Sequence, residues 1–357
     1  MSLPSLKIGD LIAKVPIIQG GMAVGVSLSS LAAAVANEGG IGVISGVQVG
    51  FREPDFRTNN MMANIRGLQK EIKKARELSP KGIIGVNIMT AASQYKELIE
   101  TAVKEKIDII IAGAGLPKDL PKYVKDSDTK IIPIVSSGKA AKIITKLWTR
   151  NYGYVPDAII VEGAEAGGHL GFSAEELHGN SAPRLIDILK EVIKEINPFE
   201  VQYDKKIPVI AAGGIFNGKD IIEYIKNGAA GVQMSTRFVA THECDASIEF
   251  KEAYLNAKEE DIELVVSPVG MPGRAIRTKF TDAMKKNKMP ITKCYKCLTP
   301  CEPKIAPYCI SDALINSVKG KIEEGLVFCG SSAFKLSEIV SVKQLMQSII
   351  KEAENAN

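Results

Sequence analysis

Eight short apolar runs, each followed by a stretch of helical spacing or a turn, constrain this chain more than any other feature. They are Pro16–Ile18, Ile41–Ile44, Ile83–Asn87, Ile107–Ala112, Ile131–Val135, Ala158–Glu162, Pro208–Ala212 and Gly231–Met234. Strands of a parallel sheet are buried on both faces, so they read as unbroken β-branched or apolar runs rather than alternating ones. The intervening segments Leu28–Glu38, Tyr95–Lys104, Ala140–Leu147, Pro183–Ile196 and Lys219–Lys226 have helical spacing, and Gly39-Gly40 and Asn227-Gly228 stand where helices stop. Eight βα units point to the α/β class and to a (β/α)8 TIM barrel, since a doubly wound sheet usually has fewer strands.

A length of 357 residues with 45% hydrophobic residues can bury a core of that size. Lys plus Arg number 45 against 41 Asp plus Glu, a net charge of +4 that is too balanced for a nucleic-acid surface. No apolar run reaches the roughly 18 residues of a membrane span, and MSLPSLKIGDLIAKVPII lacks the apolar stretch of a signal peptide. A cytoplasmic protein without a membrane or nucleic-acid partner is therefore expected. Residues 1–280 read as the barrel, with a charged insertion near 51–80 that is helical over Met61–Leu78. After Phe238 the alternation dissolves into a polar stretch. Residues 281–357 then read as a cysteine-rich segment and C-terminal helices packed on the barrel, with Ser337–Ala353 a closing amphipathic helix.

Chemistry in such barrels is built at the C-terminal strand ends. The first run exits into Gln19-Gly20-Gly21-Met22, the third ends at Asn87, and the fourth exits into Gly113-Ala114-Gly115. The fifth exits into Ser136-Ser137-Gly138, and the sixth into Glu162-Gly163-Ala164-Glu165-Ala166-Gly167-Gly168-His169. The seventh exits into Gly213-Gly214, and the eighth into Ser235-Thr236-Arg237. Glycine there lets backbone N–H groups meet a ligand with no Cβ in the way, so a large flat ligand across the barrel mouth is expected.

The last two ends carry a more specific signal. Loops after strands seven and eight, with a short helix N-terminus, form the usual phosphate cradle of this fold. Gly213, Gly214, Gln233, Met234, Ser235 and Thr236 are its candidates, while Arg237 reads either as added charge or as an ion-pair residue. Of three histidines, His178 and His242 read as structural or exposed. His169 sits among small residues at a strand end, where an imidazole can face substrate and exchange a proton near neutral pH. Glu162 and Glu165 read as a carboxylate pair or as loop-orienting groups.

PIIQGGM near the start, GVN at Asn87, EGAEAGGHLG around His169 and AAGGI…GVQMSTRF together resemble the nitronate monooxygenases, formerly 2-nitropropane dioxygenases, over roughly residues 5–280. That resemblance implies an FMN-dependent barrel flavoprotein that oxidises alkyl nitronates with O2 to carbonyl compounds and nitrite. Nitroalkanes join the substrates if His169 removes a proton. It places Gly20, Gly21 and Met22 along the isoalloxazine, Asn87 near the ring, and Gly167 and Gly168 close to the flavin. The phosphate falls to Gly213, Gly214, Gln233, Met234, Ser235 and Thr236, with His169 as the catalytic histidine. FMN-dependent enoyl-acyl-carrier-protein reductases share nearly all of these motifs. In that alternative NAD(P)H is the reductant, and the lysines at 279, 285, 286, 288, 293 and 296 would dock an acidic acyl carrier protein. A homo-oligomer is left open.

Two stretches depart from the family pattern. Trp148–Pro156 replaces a short approach to strand six, which implies a different neighbouring wall. Cys294, Cys297, Cys301 and Cys309 crowd into the tail, with one CxxC knuckle where a zinc ribbon has two. Reduced structural thiols are the favoured reading and a four-thiolate metal site the alternative, so no metal ligand is assigned.

Overall fold

The computed structural model describes residues 3–356. Eight parallel strands close a barrel: β1 (Ile17–Gln19), β2 (Ile41–Ser45), β3 (Ile83–Met89), β4 (Ile109–Gly113), β5 (Lys130–Val135), β6 (Ile159–Glu162), β7 (Val209–Ala212) and β8 (Gly231–Met234). Neighbours follow chain order, and β8 closes the ring on β1 through Val232–Ile17 and Met234–Gln19 pairing. All eight expected runs are strands, each within two residues of its expected bounds.

Burial on both faces gives the barrel two cores. Inside it, Ile18, Val43, Ile109, Ile111, Ile132, Ile160 and Ile210 pack together. An N-terminal hairpin, Leu6–Ile8 against Leu11–Ala13, adds Leu6, Ile8 and Ala13 to this interior cluster. Outward-facing residues such as Ile17, Ile44, Val86, Ile110 and Val161 instead meet the helices. Burying such aliphatic side chains is worth about 1.5–3 kcal/mol each before entropy, so the alternation of faces is fixed by packing.

The helices follow the strands: Ser29–Asn37, Asn60–Leu78, Tyr95–Lys104, Leu120–Val124, Gly138–Tyr152, Leu185–Tyr203 and Gly218–Lys226, with the short Thr236–Val239 after β8. The final helix, Val342–Asn355, packs against both Gly218–Lys226 and Ser29–Asn37 and so completes the outer ring between the last and first units. Glu352 on it accepts a hydrogen bond from the Gly218 N–H (2.9 Å) and pairs with Arg237 (3.4 Å). The insertion after β2 is helical as expected. A buried amide network ties it down, in which Asn64 and Asn60 donate to Gln48 (2.9 Å each) and Gln48 donates to Ser311 (2.9 Å).

The stretch after Phe238 differs from its expectation, because it is structured rather than a dissolved polar run. It holds a helix, Ile248–Asn256, and an antiparallel sheet of β9 (Ile262–Val266), β10 (Pro272–Ile276) and β11 (Val327–Phe328). Its strands are short, antiparallel and only partly buried, so they lack the unbroken apolar runs of buried parallel strands, and β11 joins β10 across a long stretch of loop and helix. It also takes in Gly168–His169 as a two-residue edge strand, pairing His169 with Gly273 and Gly168 with Arg274.

The cysteine-rich segment packs on the loop after β3, where the Ser93 N–H donates to the Cys297 carbonyl (3.1 Å) and the Thr299 N–H to the Ala91 carbonyl (2.9 Å). Trp148 is buried in the helical layer and donates to the Pro117 carbonyl (2.9 Å). Cys294 is exposed, Cys297, Cys301 and Cys309 are half-buried, and all four are free thiols. Among the described residues no group of three or more His, Cys, Asp or Glu side chains is arranged to hold a metal ion. No described helix is long and apolar enough to cross a membrane.

Candidate active site

One cleft opens at the C-terminal ends of the strands. Its lining includes Gly20, Gly21, Met22, Asn87, Gly167, Gly168, His169, Gly213, Gly214, Gln233, Met234, Ser235 and Thr236, all assigned to the site from the sequence. It encloses about 1250 Å³ including its open mouth.

Backbone approach explains the glycines. A Cβ on Gly20 would lie 2.4 Å from the Ser235 hydroxyl, so the β1 and β8 ends meet only because it is absent. Gly214 has φ +80°, a conformation that glycine adopts freely, and a Cβ there would sit 2.4 Å from Glu165 Oε2. Gln233 brings a buried side-chain oxygen, Oε1, that has no hydrogen-bond partner within the protein. An orphaned buried acceptor on a cleft wall awaits a donor from a ligand. Arg237, by contrast, points outward to Glu352 and the Phe216 carbonyl and takes no part in the lining.

The loop after β6 is held from outside the barrel. The Arg274 guanidinium, half-buried on β10, donates to the carbonyls of Ala164 (2.7 Å) and Ala166 (2.6 Å). That clamp and the Gly168–His169 edge pairing fix the imidazole at the cleft. His169 Nε2 is 2.6 Å from Ser267 Oγ, and its ring stands edge-on to Phe328 with centroids 5.3 Å apart. Burial pushes its pKa from 6.5 to about 4, so the ring is neutral near pH 7. With Nε2 occupied by Ser267, Nδ1 is the nitrogen left for a ligand, and the Ser267 hydroxyl, able to donate or accept, suits either tautomer.

Several wall residues escaped the sequence reading. Phe250, Tyr254, Phe328, Cys329 and Gly330 line the cleft from the segment beyond the barrel strands. Burial raises the Cys329 thiol to about 12, so it stands there as a neutral apolar group rather than a nucleophile. Only the glycine of Phe328-Cys329-Gly330 hinted at a strand-end loop. Ser267 carried no pattern at all. Glu162 and Glu165 both line the cleft, but Glu165 accepts from the Ser331 hydroxyl (3.3 Å), so the two play separate parts.

A closed (β/α)8 barrel with glycine-rich strand ends around one cleft, and a single neutral imidazole at its wall, defines a barrel enzyme with a site for a large ligand and a small substrate. The profile of the nitronate monooxygenase family matches residues 5–352. A probable nitronate monooxygenase of Staphylococcus aureus (strain MSSA476) is 28% identical over 296 residues, covering 76% of this chain and 78% of that one. Among solved structures, FabK from Thermotoga maritima superposes with a TM-score of 0.74 at 29% identity, over 96% of this chain and 93% of that one. A nitroalkane oxidase from Streptomyces ansochromogenes shares the fold, with a TM-score of 0.73 at 21% identity over 96% of both chains. The chain belongs to the nitronate monooxygenase family, a family of flavin-dependent oxidoreductases.

Proposed function

We propose that this protein binds FMN across the barrel mouth and oxidises alkyl nitronates with O2 to carbonyl compounds and nitrite. The observation that carries the reading is the convergence of separate strand ends on one cleft that holds a neutral histidine. The residues fit FMN. Gln233 Oε1 is an unpartnered buried acceptor, the Gly20 and Gly214 positions admit backbone but no side chain, and Ser235 and Thr236 bring hydroxyls to the cradle beside Gly213. Gly20, Gly21 and Met22 would lie along the isoalloxazine with Asn87 beside it. Gly167 and Gly168 would pass close to the ring, Gly213, Gly214, Met234, Ser235 and Thr236 would hold the phosphate, and Gln233, assigned to the same cradle, would accept through Oε1 from a hydroxyl or ring N–H of FMN.

FMN supplies the electron-accepting chemistry when bound. The protein positions and protonates around it. His169, neutral at working pH, presents Nδ1 to the nitro group of the substrate. As a hydrogen-bond donor it steadies a nitronate anion, and in the other tautomer its lone pair takes the α-proton of a neutral nitroalkane. Ser267 holds the ring in place through either exchange.

The test is FMN-loaded protein with ethyl nitronate in air-saturated buffer, and separately with NADH plus an enoyl thioester. Oxygen uptake matched by nitrite release, lost in His169→Asn, is the expected result. Thioester-dependent NADH loss without nitronate turnover, or purified protein that fails to bind FMN, overturns the proposal.

A further inference from the structure

A second chamber adjoins the cleft, and Glu162 and His169 line both. Its other walls are largely apolar, with Leu116, Ile134, Val135, Ala140 and Met271 around a single hydroxyl from Ser136. The carboxyl of Glu162, at the last position of β6, therefore stands at the passage between a polar cleft and an apolar chamber. Among the described residues it forms no ion pair, and burial alone acts on its ionisation. The groups that face it from the packed elements are few. Its register partner on β7 is Ala212, while pairing with β5 ends one residue earlier, at Val135–Val161. His169 is neutral, Glu165 is engaged with Ser331, and the Arg274 guanidinium is spent on the Ala164 and Ala166 carbonyls.

We propose that Glu162 is the charge selector of this site: protonated, it admits an anionic substrate head to the flavin cleft, and ionised, it repels one. The inference rests on the nitronate reading, since a nitronate and the nitrite released from it are both anions. A half-buried carboxylate without a cation, beside largely apolar walls, opposes a second negative charge. Its protonated form opposes none and can donate a hydrogen bond to the anion. Burial places the Glu162 pKa at about 7, so the selector switches across neutral pH. His169, at about 4, keeps one charge state through that range. Uncharged substrates of the same size are indifferent to the switch, so the balance between anionic and neutral ligands shifts with pH.

The test is nitrite binding to FMN-loaded enzyme, read from the perturbation of the flavin absorbance, with isobutyramide as an uncharged control. If only the protonated enzyme binds, the nitrite Kd of the wild type rises about tenfold between about pH 6 and about pH 8. It stays flat in Glu162→Gln, and the isobutyramide Kd stays flat in both proteins. Nitrite binding near pH 8 should also take up close to one proton per anion in the wild type, which requires no variant. Parallel nitrite curves for the two proteins, the same pH dependence for isobutyramide, or no proton uptake would each refute the selector. Nitronate turnover with a pH-independent nitrite Kd refutes this inference alone. Absence of nitronate turnover with the predicted nitrite behaviour refutes the nitronate reading and leaves a site selective for another anion.

Discussion

Substituting His169 by Asn should expose two opposed pH dependences that cancel in the wild type. Burial holds the His169 pKa at about 4 against an ordinary 6.5. Below pH 6.5 the unfolded chain takes a proton that the folded protein declines, so stability is lost as pH falls towards 4. At ~1.36 kcal/mol per pH unit, the full loss is about 3.4 kcal/mol. Glu162 runs the other way, raised from 4.5 to about 7. Above pH 4.5 the unfolded chain releases a proton that the folded protein keeps, so stability is lost as pH rises towards 7, again by about 3.4 kcal/mol. Between roughly pH 4.5 and pH 6.5 the two slopes are equal and opposite. Urea unfolding followed by far-ultraviolet circular dichroism, with FMN in constant excess, measures the difference between proteins free of the other titrations. The stability of His169→Asn relative to wild type should climb by ~1.4 kcal/mol per pH unit as pH falls from 6.5 to 4. Parallel curves over that range would refute the claim that the imidazole is held neutral by burial.

Three further outcomes follow from the geometry. Ser267→Ala removes the hydroxyl 2.6 Å from His169 Nε2, and losing about 1 kcal/mol of orientation should lower kcat roughly fivefold with a displaced pH–rate profile in steady-state assays. Gly214→Ala forces a side chain onto φ +80° and 2.4 Å from Glu165 Oε2. Strain of about 1–2 kcal/mol plus that displacement should weaken FMN binding at least tenfold in a fluorescence titration, with the circular dichroism spectrum unchanged. Arg274→Met deprives two carbonyls of their donor, and limited proteolysis should then cut within residues 163–170, where the wild type resists.

The barrel was legible because its signal is local. Unbroken runs such as Ile131–Val135 and Pro208–Ala212 announce two-sided burial without knowledge of what they pack against. The strand-end glycines were legible for the same reason, and every candidate drawn from them lines the cleft. The rest of the wall depends on distant pairing. Val327–Phe328 and Gly168–His169 are two-residue strands that pair with Pro272–Ile276 from far along the chain, and nothing in their own residues names that partner. Ser267 acquires its role from a turn that brings it to a histidine 98 positions away. Arg237 shows the opposite failure, since a cation beside a phosphate motif invites a binding role that the Glu352 carboxylate on the last helix has already taken.

The wall formed by Phe328, Cys329 and Gly330 bears on how the protein is made. Synthesis delivers the eight barrel strands first, yet the cleft stays open along one side until residues 327–330 have followed and paired with Pro272–Ile276. A nascent chain stalled after β8 would carry the glycine cradle and His169 without the sheet that positions them. If FMN is the cofactor, as proposed, its capture is a late event in the life of the chain, and premature arrest yields a barrel that competes poorly for it.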